Sequence, residues 1–170
     1  MDSRAARLTT ESQPPTIGPG RFDDRFVELF GLAYRVAYRI VGTTEEAKDA
    51  AQEALARAQQ RWHRVGDAPE GWVARVSANQ AIGTWRKRQH RSVPIDVAVS
   101  GSGDGQLAER LDLVKALGHL SRRQREVVIL RYLADRPEEE VARVLGCSVG
   151  AVKTHASRGL AALRAELGGR

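Results

Sequence analysis

The chain has little of several features that would restrict its environment. Its 170 residues include one cysteine, so no disulfide can form within the chain, and a reducing compartment is expected. No stretch holds the roughly 18 apolar residues that a membrane-spanning helix requires. Residues 1–15 lack the apolar core of a signal peptide. The sequence therefore predicts a cytoplasmic protein that does not enter a membrane.

Aromatic residues and acidic residues are also in short supply. Aromatics make up 5% of the chain, and the runs of β-branched and aromatic residues that are typical of strands are scarce. Alanine, leucine, arginine and glutamate recur instead, which favours helices. The 27 lysines and arginines exceed the 21 acidic residues and give a formal net charge of +6. This balance favours a polyanionic partner such as nucleic acid, although an unpartnered basic surface would give the same charge.

Side chains that support catalysis or metal binding are not grouped. The four histidines are scattered along the chain without metal-ligand spacing. Gly101, Gly103 and Gly105 alternate as in a phosphate-binding loop, but no predicted strand precedes them. Cys147 lies beside apolar positions and is interpreted as a small core residue. The sequence therefore predicts a protein that is not an enzyme and needs no cofactor or metal.

Apolar periodicity and helix-end signals divide the chain into two groups of helices. The first group begins near Phe22 and is interrupted by Gly42. Thr43 and Glu46 form the pattern of a capping box at the start of the second helix. The group ends in the basic run Trp85–Arg91 (WRKRQHR). Those cations are interpreted either as partners of the helix C-terminal dipole or as a phosphate-binding stripe.

The second group of helices follows a segment without helical period. Residues 93–110 include SGSGDGQ and are predicted to be a flexible linker. A capping box at Ser121 and Gln124, a stop at Gly146 and a cap at Ser148 mark later helices. We therefore predict an all-α protein of two small helical domains joined by a flexible linker. The predicted parts are a disordered tail over residues 1–20, a domain over 21–92, the linker over 93–110 and a domain over 111–168.

The second domain carries the spacing of a helix-turn-helix. Ala142, Gly146 and Val152 supply a small residue in the first helix, the turn glycine and an apolar anchor in the second helix. An amphipathic helix in an ordinary bundle is the alternative. The second helix would present its N-terminal half to the major groove, whereas Gly159 in its middle has no explanation from the sequence. The predicted DNA contacts are Ser148, Ala151, Lys153, Thr154, His155, Ser157 and Arg158.

Three segments together are typical of one protein family. They are Asp49–Leu55 (DAAQEAL), Val73–Arg91 (VARVSANQAIGTWRKRQHR) and Leu120–Arg164, and they occur in the family's order. The first resembles the polymerase-binding helix of the extracytoplasmic-function (ECF) sigma factors in the sigma-70 superfamily. The second resembles their helix for the −10 promoter element, and the third resembles their region 4 almost end to end. The likeness is to the SigE-like actinobacterial type.

The resemblance implies a factor that binds core RNA polymerase and directs it to promoter DNA. It implies that Asp49, Gln52 and Glu53 contact the polymerase, and that the loop Arg64–Gly71 captures a flipped base. It also implies −35 recognition by the helix-turn-helix, and the family often uses an anti-sigma factor as an inhibitory partner. On the residues alone, a helix-face hydrogen bond remains an alternative role for Asn79, and core packing remains an alternative role for Trp85. The residues implied to contact the −10 element are Asn79, Trp85, Arg86, Lys87 and Arg88.

The chain departs from the family pattern at a few positions. Ala151 stands where threonine is usual and Gly159 where alanine is usual, while Lys48 and Gly83 replace acidic residues. These departures leave promoter preference and polymerase affinity open. The segment Val152–Arg158 also resembles the recognition helix of LuxR-type regulators, which bind an operator without polymerase. A helical interaction or RNA-binding protein is a further alternative.

Overall fold

The computed structural model describes residues 21–65, 68–90 and 104–168. Within these ranges the chain forms helices without any strand, which confirms the all-α prediction. The predicted tail over residues 1–20 and most of the predicted linker lie outside the described residues. One π-helical turn, Ile129–Leu133, continues the sixth helix. The α-helices are α1 Phe22–Val41, α2 Thr44–Gln60, α3 Trp62–Val65, α4 Pro69–His90, α5 Asp104–His119, α6 Arg122–Val128, α7 Glu138–Leu145 and α8 Val149–Gly168.

Helix α1 follows the pattern that its sequence predicts. Asp23 and Asp24 lie in its first turn, where the helix dipole favours negative charge. Leu29, Val36 and other residues spaced by three or four positions are buried. The helix ends at Gly42, which has a φ of 79° and donates its N–H to the Tyr38 carbonyl at 3.0 Å. A positive φ of this kind costs glycine little, so the predicted stop is confirmed.

The capping box predicted at the start of α2 does not form. The Thr43 hydroxyl donates to Glu46 Oε2 at 2.8 Å, and no side-chain hydrogen bond caps the first turn. Glu46 Oε2 also accepts a hydrogen bond from Arg88 Nη1 at 2.8 Å. The Glu46 carboxylate therefore joins the Thr43 hydroxyl to α4, and that hydroxyl acts as a donor instead of capping the first turn.

Alanine dominates the contacts among α1, α2 and α4. Ala47, Ala51, Ala54 and Ala78 are fully buried, and such small side chains let helices approach closely. The buried Ser77 hydroxyl donates to a carbonyl of α1 at 2.9 Å, so its polar group is satisfied. Trp62 and Trp72 are half-buried and pack against a cluster that includes Leu29, Ala51 and Ala54.

The second group of helices is positioned by local signals. The capping box at Ser121 is confirmed, because Ser121 Oγ accepts from the Gln124 N–H at 3.4 Å and Gln124 Oε1 accepts from the Ser121 N–H at 3.2 Å. Gly146 ends α7 with a φ of 63°. Ser148 Oγ accepts from the Ala151 N–H at 3.1 Å and caps α8 as predicted.

Helix α5 begins inside the segment that was predicted to be the linker. This helix begins at Asp104, so residues 104–110 are helical although they were assigned to the linker. The apolar positions Val114 and Leu117 are buried, and the helix that they anchor extends back past Gly105. Glycine lowers helix propensity without preventing a helix.

The two groups of helices share an apolar core. Ile40 and Trp85 from the first group are buried in one cluster with Val114, Leu130 and Val141 from the second. Helix α4 contacts both α7 and the π-helical turn, and α1 contacts α5. The sequence predicted two domains joined by a flexible linker and gave no indication of this contact between them.

Candidate nucleic-acid interface

Helix α8 has one buried face and one exposed face. Val152, Ala156 and Leu163 are buried against the rest of the second group. Ser148, Lys153, Thr154, Ser157 and Arg158 are exposed, and Ala151 and His155 are half-buried. The structure therefore brings the seven predicted DNA contacts together on the turn and the N-terminal half of one helix.

Two polar side chains on this surface already have partners in the protein. Thr154 Oγ1 donates to the Gly150 carbonyl one turn earlier at 3.0 Å, whereas Ser148 Oγ serves as the cap of α8. Lys153 Nζ lies 3.7 Å from Glu138 Oε2, and the lysine side chain is 66% exposed. An exposed pair of this kind contributes little, so Lys153 can exchange Glu138 for a phosphate at small cost.

The turn geometry of the helix-turn-helix follows the predicted spacing. Val152 is completely buried and Ala142 nearly so. The Cys147 N–H donates to the Ala142 carbonyl at 3.0 Å, which joins the turn to the first helix. Cys147 itself is half-buried and packs against the shared core, in agreement with its interpretation as a core residue.

Gly159 allows α8 to pack closely on α6. A Cβ atom at this position would lie 2.8 Å from Val128 Cγ2 and 3.5 Å from Gln124 Cβ. The first distance is shorter than van der Waals contact, so only glycine fits without displacement of Val128. Sequence reasoning missed this role because the partner helix is not visible in the sequence of α8.

The end of α4 is arranged differently from α8. Trp85 is 7% exposed and belongs to the shared core. The sequence left base stacking and core packing open for Trp85. The structure shows core packing, and a buried indole cannot stack on a base. The contact of Trp85 with the −10 element stays a prediction, and it requires a conformation in which the ring is exposed.

The cations that follow Trp85 are partly engaged within the protein. Arg86 Nη2 donates to the Gly118 carbonyl at 3.1 Å, although the residue as a whole is exposed. Arg88 is half-buried and donates to Glu46 and, at 3.5 Å, to the Val41 carbonyl. Lys87 is exposed. The predicted −10 set is therefore not one continuous free surface.

A cleft of about 310 Å³ lies beside α4 and includes Asn79, the remaining member of the −10 set. Arg57 on α2, Arg61 directly after that helix and Arg75 on α4 add positive charge, and burial lowers the pKa of Arg75. Sequence reasoning missed these arginines, although spacings of four place Arg57 with Arg61 and Arg75 with Asn79 on common helix faces. The cleft is lined by Arg57, Arg61, Trp72, Arg75, Val76, Asn79, Gln80, Arg122 and Glu126.

The predicted polymerase-binding residues lie on the outer side of α2. Asp49 and Gln52 are exposed, and Glu53 is partly exposed with its Oε1 2.6 Å from Arg57 Nε. The neighbouring Ala50, Ala51 and Ala54 are buried against α1 and α4, so the polar side chains alone form the available face.

The described residues contain neither a candidate metal site nor a candidate membrane span. In those ranges, no three His, Cys, Asp or Glu side chains are grouped so that they could hold an ion. None of the helices there combines the length and the apolar character needed to cross a bilayer.

Comparisons with known proteins agree with this geometry. The family "Sigma-70 region 2" matches residues 26–91, and the family "Sigma-70, region 4" matches residues 110–163. The chain belongs to the sigma-70 family. Membership in this family implies a role in transcription initiation by RNA polymerase.

Individual relatives place the chain among the ECF sigma factors. The RNA polymerase sigma-E factor of Streptomyces avermitilis is 37% identical over 80% of this chain and 79% of the relative. The ECF RNA polymerase sigma factor SigW of Bacillus subtilis is 30% identical over 85% of this chain and 89% of the relative.

Solved structures show the same arrangement of helices. The sigma factor RpoE of Bartonella quintana, in complex with the anti-sigma factor NepR, is 26% identical with a TM-score of 0.55, over 86% of this chain and 96% of that one. CnrH in complex with the cytosolic domain of CnrY has a TM-score of 0.58 at 21% identity, over 87% of this chain and 88% of that one, and supports the fold alone.

Proposed function

We propose that this chain binds core RNA polymerase through α2 and directs it to promoters with −10 and −35 elements. The observation that carries the proposal is the exposed basic face of α8 in a chain that matches both sigma-70 regions. A LuxR-type regulator would not explain why residues 26–91 match sigma-70 region 2.

The proposed −35 contact uses the N-terminal half of α8. A recognition helix enters the major groove with this half first, and its N-terminus favours phosphate. Lys153 and Arg158 are exposed on this half and suit phosphates or guanine edges. Ala151 suits contact with a thymine methyl group.

The proposed −10 contact uses the cleft beside α4. Its volume of about 310 Å³ is enough for one unstacked base. The Asn79 amide can read a base edge, while the arginines on α2 and α4 balance the charge of adjacent phosphates. Because unstacking a base costs a few kcal/mol, the contacts made in the cleft must offset that cost.

Two protein partners are proposed. Core RNA polymerase would contact Asp49, Gln52 and Glu53, which lie within two turns of α2 on its exposed side. An anti-sigma factor is the second proposed partner, because the sigma factor RpoE of matching fold is solved in complex with one.

Run-off transcription with core polymerase and a genomic promoter library tests the proposal. Lys153→Ala with Arg158→Ala should reduce transcription from −35-dependent promoters by about tenfold or more, because each lost contact is worth about 1–3 kcal/mol. Gel filtration should show unchanged holoenzyme formation. Arg164→Ala removes an exposed cation further along α8 and serves as the matched control.

The complementary variant is Asp49→Ala with Gln52→Ala. It should weaken holoenzyme formation and leave the α8 surface intact. If the two pairs of substitutions reduced polymerase binding equally, the assignment of separate surfaces would be wrong. A wild-type chain that forms no holoenzyme would remove the proposed function altogether.

A further inference from the structure

The cleft beside α4 holds more positive charge than the protein itself neutralises. Two of its lining arginines, Arg57 and Arg122, each have a glutamate partner. Arg61 and Arg75 line the same cleft, and neither forms an ion pair with any residue that the structure describes. Two guanidinium-bearing side chains therefore border the cleft without a carboxylate partner.

Arg75 is the member of this pair that is withdrawn from solvent. It is half-buried on α4, and its Nη1 donates to the Val144 carbonyl at 3.4 Å, which is long for a hydrogen bond. Burial lowers the pKa of Arg75, and the charges of Arg122 and Arg123 act in the same direction, whereas the charge of Glu126 opposes them without reversing the shift. An anion in the cleft would give this guanidinium a stronger partner than the carbonyl does.

The remaining lining of the cleft can hold an aromatic ring. Trp72 and Val76 are half-buried and give the cleft an apolar wall. The exposed side-chain amides of Asn79 and Gln80 have no hydrogen-bond partner among the residues that the structure describes. Aromatic side chains stack on the faces of nucleobases, and an amide can both donate to a base edge and accept from it. The cleft therefore combines a surface for a base with positive charge for a phosphate.

We propose that this cleft binds a free nucleotide, that is, a nucleoside with a terminal phosphate. The base stacks against Trp72, while Arg61 and Arg75 bind the phosphate, which carries about two negative charges at neutral pH. The volume of about 310 Å³ is at the lower end of the range for ligand sites, about 300–1,000 Å³, and suits a mononucleotide. The same cleft is the proposed −10 site, but the nucleotide binds in the absence of polymerase and promoter. The inference therefore does not depend on the proposed function.

Isothermal titration calorimetry of the full chain with 5′-GMP and with 5′-AMP tests the proposal. We expect at least one of them to bind, with one nucleotide per chain. Guanosine, adenosine and inorganic phosphate each supply half of the ligand, so each should bind at least about tenfold more weakly than the matching nucleotide. Inorganic phosphate that bound as tightly as the nucleotide would reveal a site for any small anion and overturn the proposal. A nucleoside that bound as tightly would overturn it as well.

Two variants remove the proposed phosphate contacts. Arg61→Ala and Arg75→Ala should each weaken nucleotide binding by about tenfold or more, because each removes hydrogen bonds to a charged group. Arg61 is exposed, so its variant keeps the test valid if the half-buried Arg75 proves necessary for folding. Arg35→Ala is the matched control, because Arg35 is an exposed arginine outside the cleft. An equal loss of binding in the Arg35 variant would mean that net charge alone attracts the nucleotide, and the cleft would not be the site.

Trp72→Phe tests where the base lies. Phenylalanine keeps an aromatic wall, so the affinity measured by calorimetry should stay within about threefold of wild type. In wild type the bound nucleotide should quench part of the tryptophan fluorescence. Trp72→Phe should abolish that change, although Trp62 and Trp85 still fluoresce. Quenching that persists in Trp72→Phe would place the base away from the cleft wall and contradict the proposal.

The nucleotide site and the proposed function can fail separately. A chain that forms holoenzyme but binds neither 5′-GMP nor 5′-AMP would overturn the nucleotide site alone. A chain that binds a nucleotide but forms no holoenzyme would overturn the proposed function alone.

Discussion

Two basic surfaces of this protein contain similar residues but differ in what surrounds them. Lys153 and Arg158 on α8 are exposed on the side opposite to the buried Val152. At the end of α4, Arg88 pairs with Glu46 at 2.8 Å and Trp85 is buried in the core. Composition alone therefore does not distinguish a free DNA-binding surface from one that the protein itself occupies.

The spacing of the cations explains the difference. On α8 the exposed residues alternate with buried ones at intervals of three or four, so they share one face of the helix. On α4 the basic residues Arg86, Lys87 and Arg88 are consecutive, and consecutive helical residues point about 100° apart. The three side chains therefore spread over about 200° of the helix circumference, and some of them face neighbouring elements.

The largest expected effect comes from Trp85→Ala. As a core residue, Trp85 should contribute about 3–5 kcal/mol to the free energy of unfolding, which is the usual cost of truncating a buried tryptophan. Urea denaturation of the full chain measures this loss. Lys153→Ala is the control from the α8 surface and should leave the free energy of unfolding unchanged within error.

Equal stability of the Trp85→Ala variant and the wild type would contradict the buried position. In that case the indole would be available to stack on a base, and the two basic surfaces would be equivalent. A large loss, by contrast, would show that the end of α4 is first of all a structural element.

A smaller effect is expected from Gly159→Ala behind the α8 surface. The new Cβ would lie 2.8 Å from Val128 Cγ2, and overpacking of this kind costs about 1–3 kcal/mol. Higher helix propensity offsets about 1 kcal/mol, so a net loss of about 0–2 kcal/mol is expected in thermal or urea unfolding.

Gly150→Ala is the matched control for Gly159→Ala. It lies in the same helix, and the nearest atom to its added Cβ is Ser148 Oγ at 3.9 Å. This variant should be at least as stable as wild type. If both substitutions stabilised the protein, close packing of α8 on α6 would not explain Gly159.

Features that depend on adjacent residues were predictable from the sequence. The Ser121 capping box, the Gly146 stop and the Ser148 cap each need only a few neighbouring positions, and all three are present. The face of α8 was predictable for the same reason, because helical periodicity fixes which residues lie together.

Features that depend on a partner helix were not predictable. Gly71 and Gly159 are required by side chains 73 and 31 positions away in α7 and α6. The Thr43 cap was wrong because Arg88 from α4 binds the same glutamate. The burial of Glu126 was not predictable either, because it depends on how α6 packs. In each case the deciding atom lies on an element that local sequence does not reveal.

The smallest expected effect concerns Glu140, whose carboxylate accepts the Gly71 N–H where the two helical groups meet. Burial raises the pKa of Glu140 above its ordinary value of 4.5, and the charge of Glu70 acts in the same direction. Arg136, Arg143 and the Gly71 N–H oppose this shift without reversing it. The folded protein therefore binds the Glu140 proton more tightly than the unfolded chain does.

The sign of the pH dependence follows from that difference. Stability from this group is fully present below pH 4.5 and is lost as the pH rises through the raised pKa of the folded state. Glu140→Gln stays neutral at every pH and keeps an oxygen that accepts the Gly71 N–H. Its melting temperature should therefore exceed that of wild type by a small margin at pH 8, and the margin should vanish toward pH 4.5. Glu139→Gln, the same change at an exposed neighbour, should preserve the wild-type pH dependence; parallel curves for wild type and Glu140→Gln would mean that the carboxylate is not desolvated by the contact between the two groups.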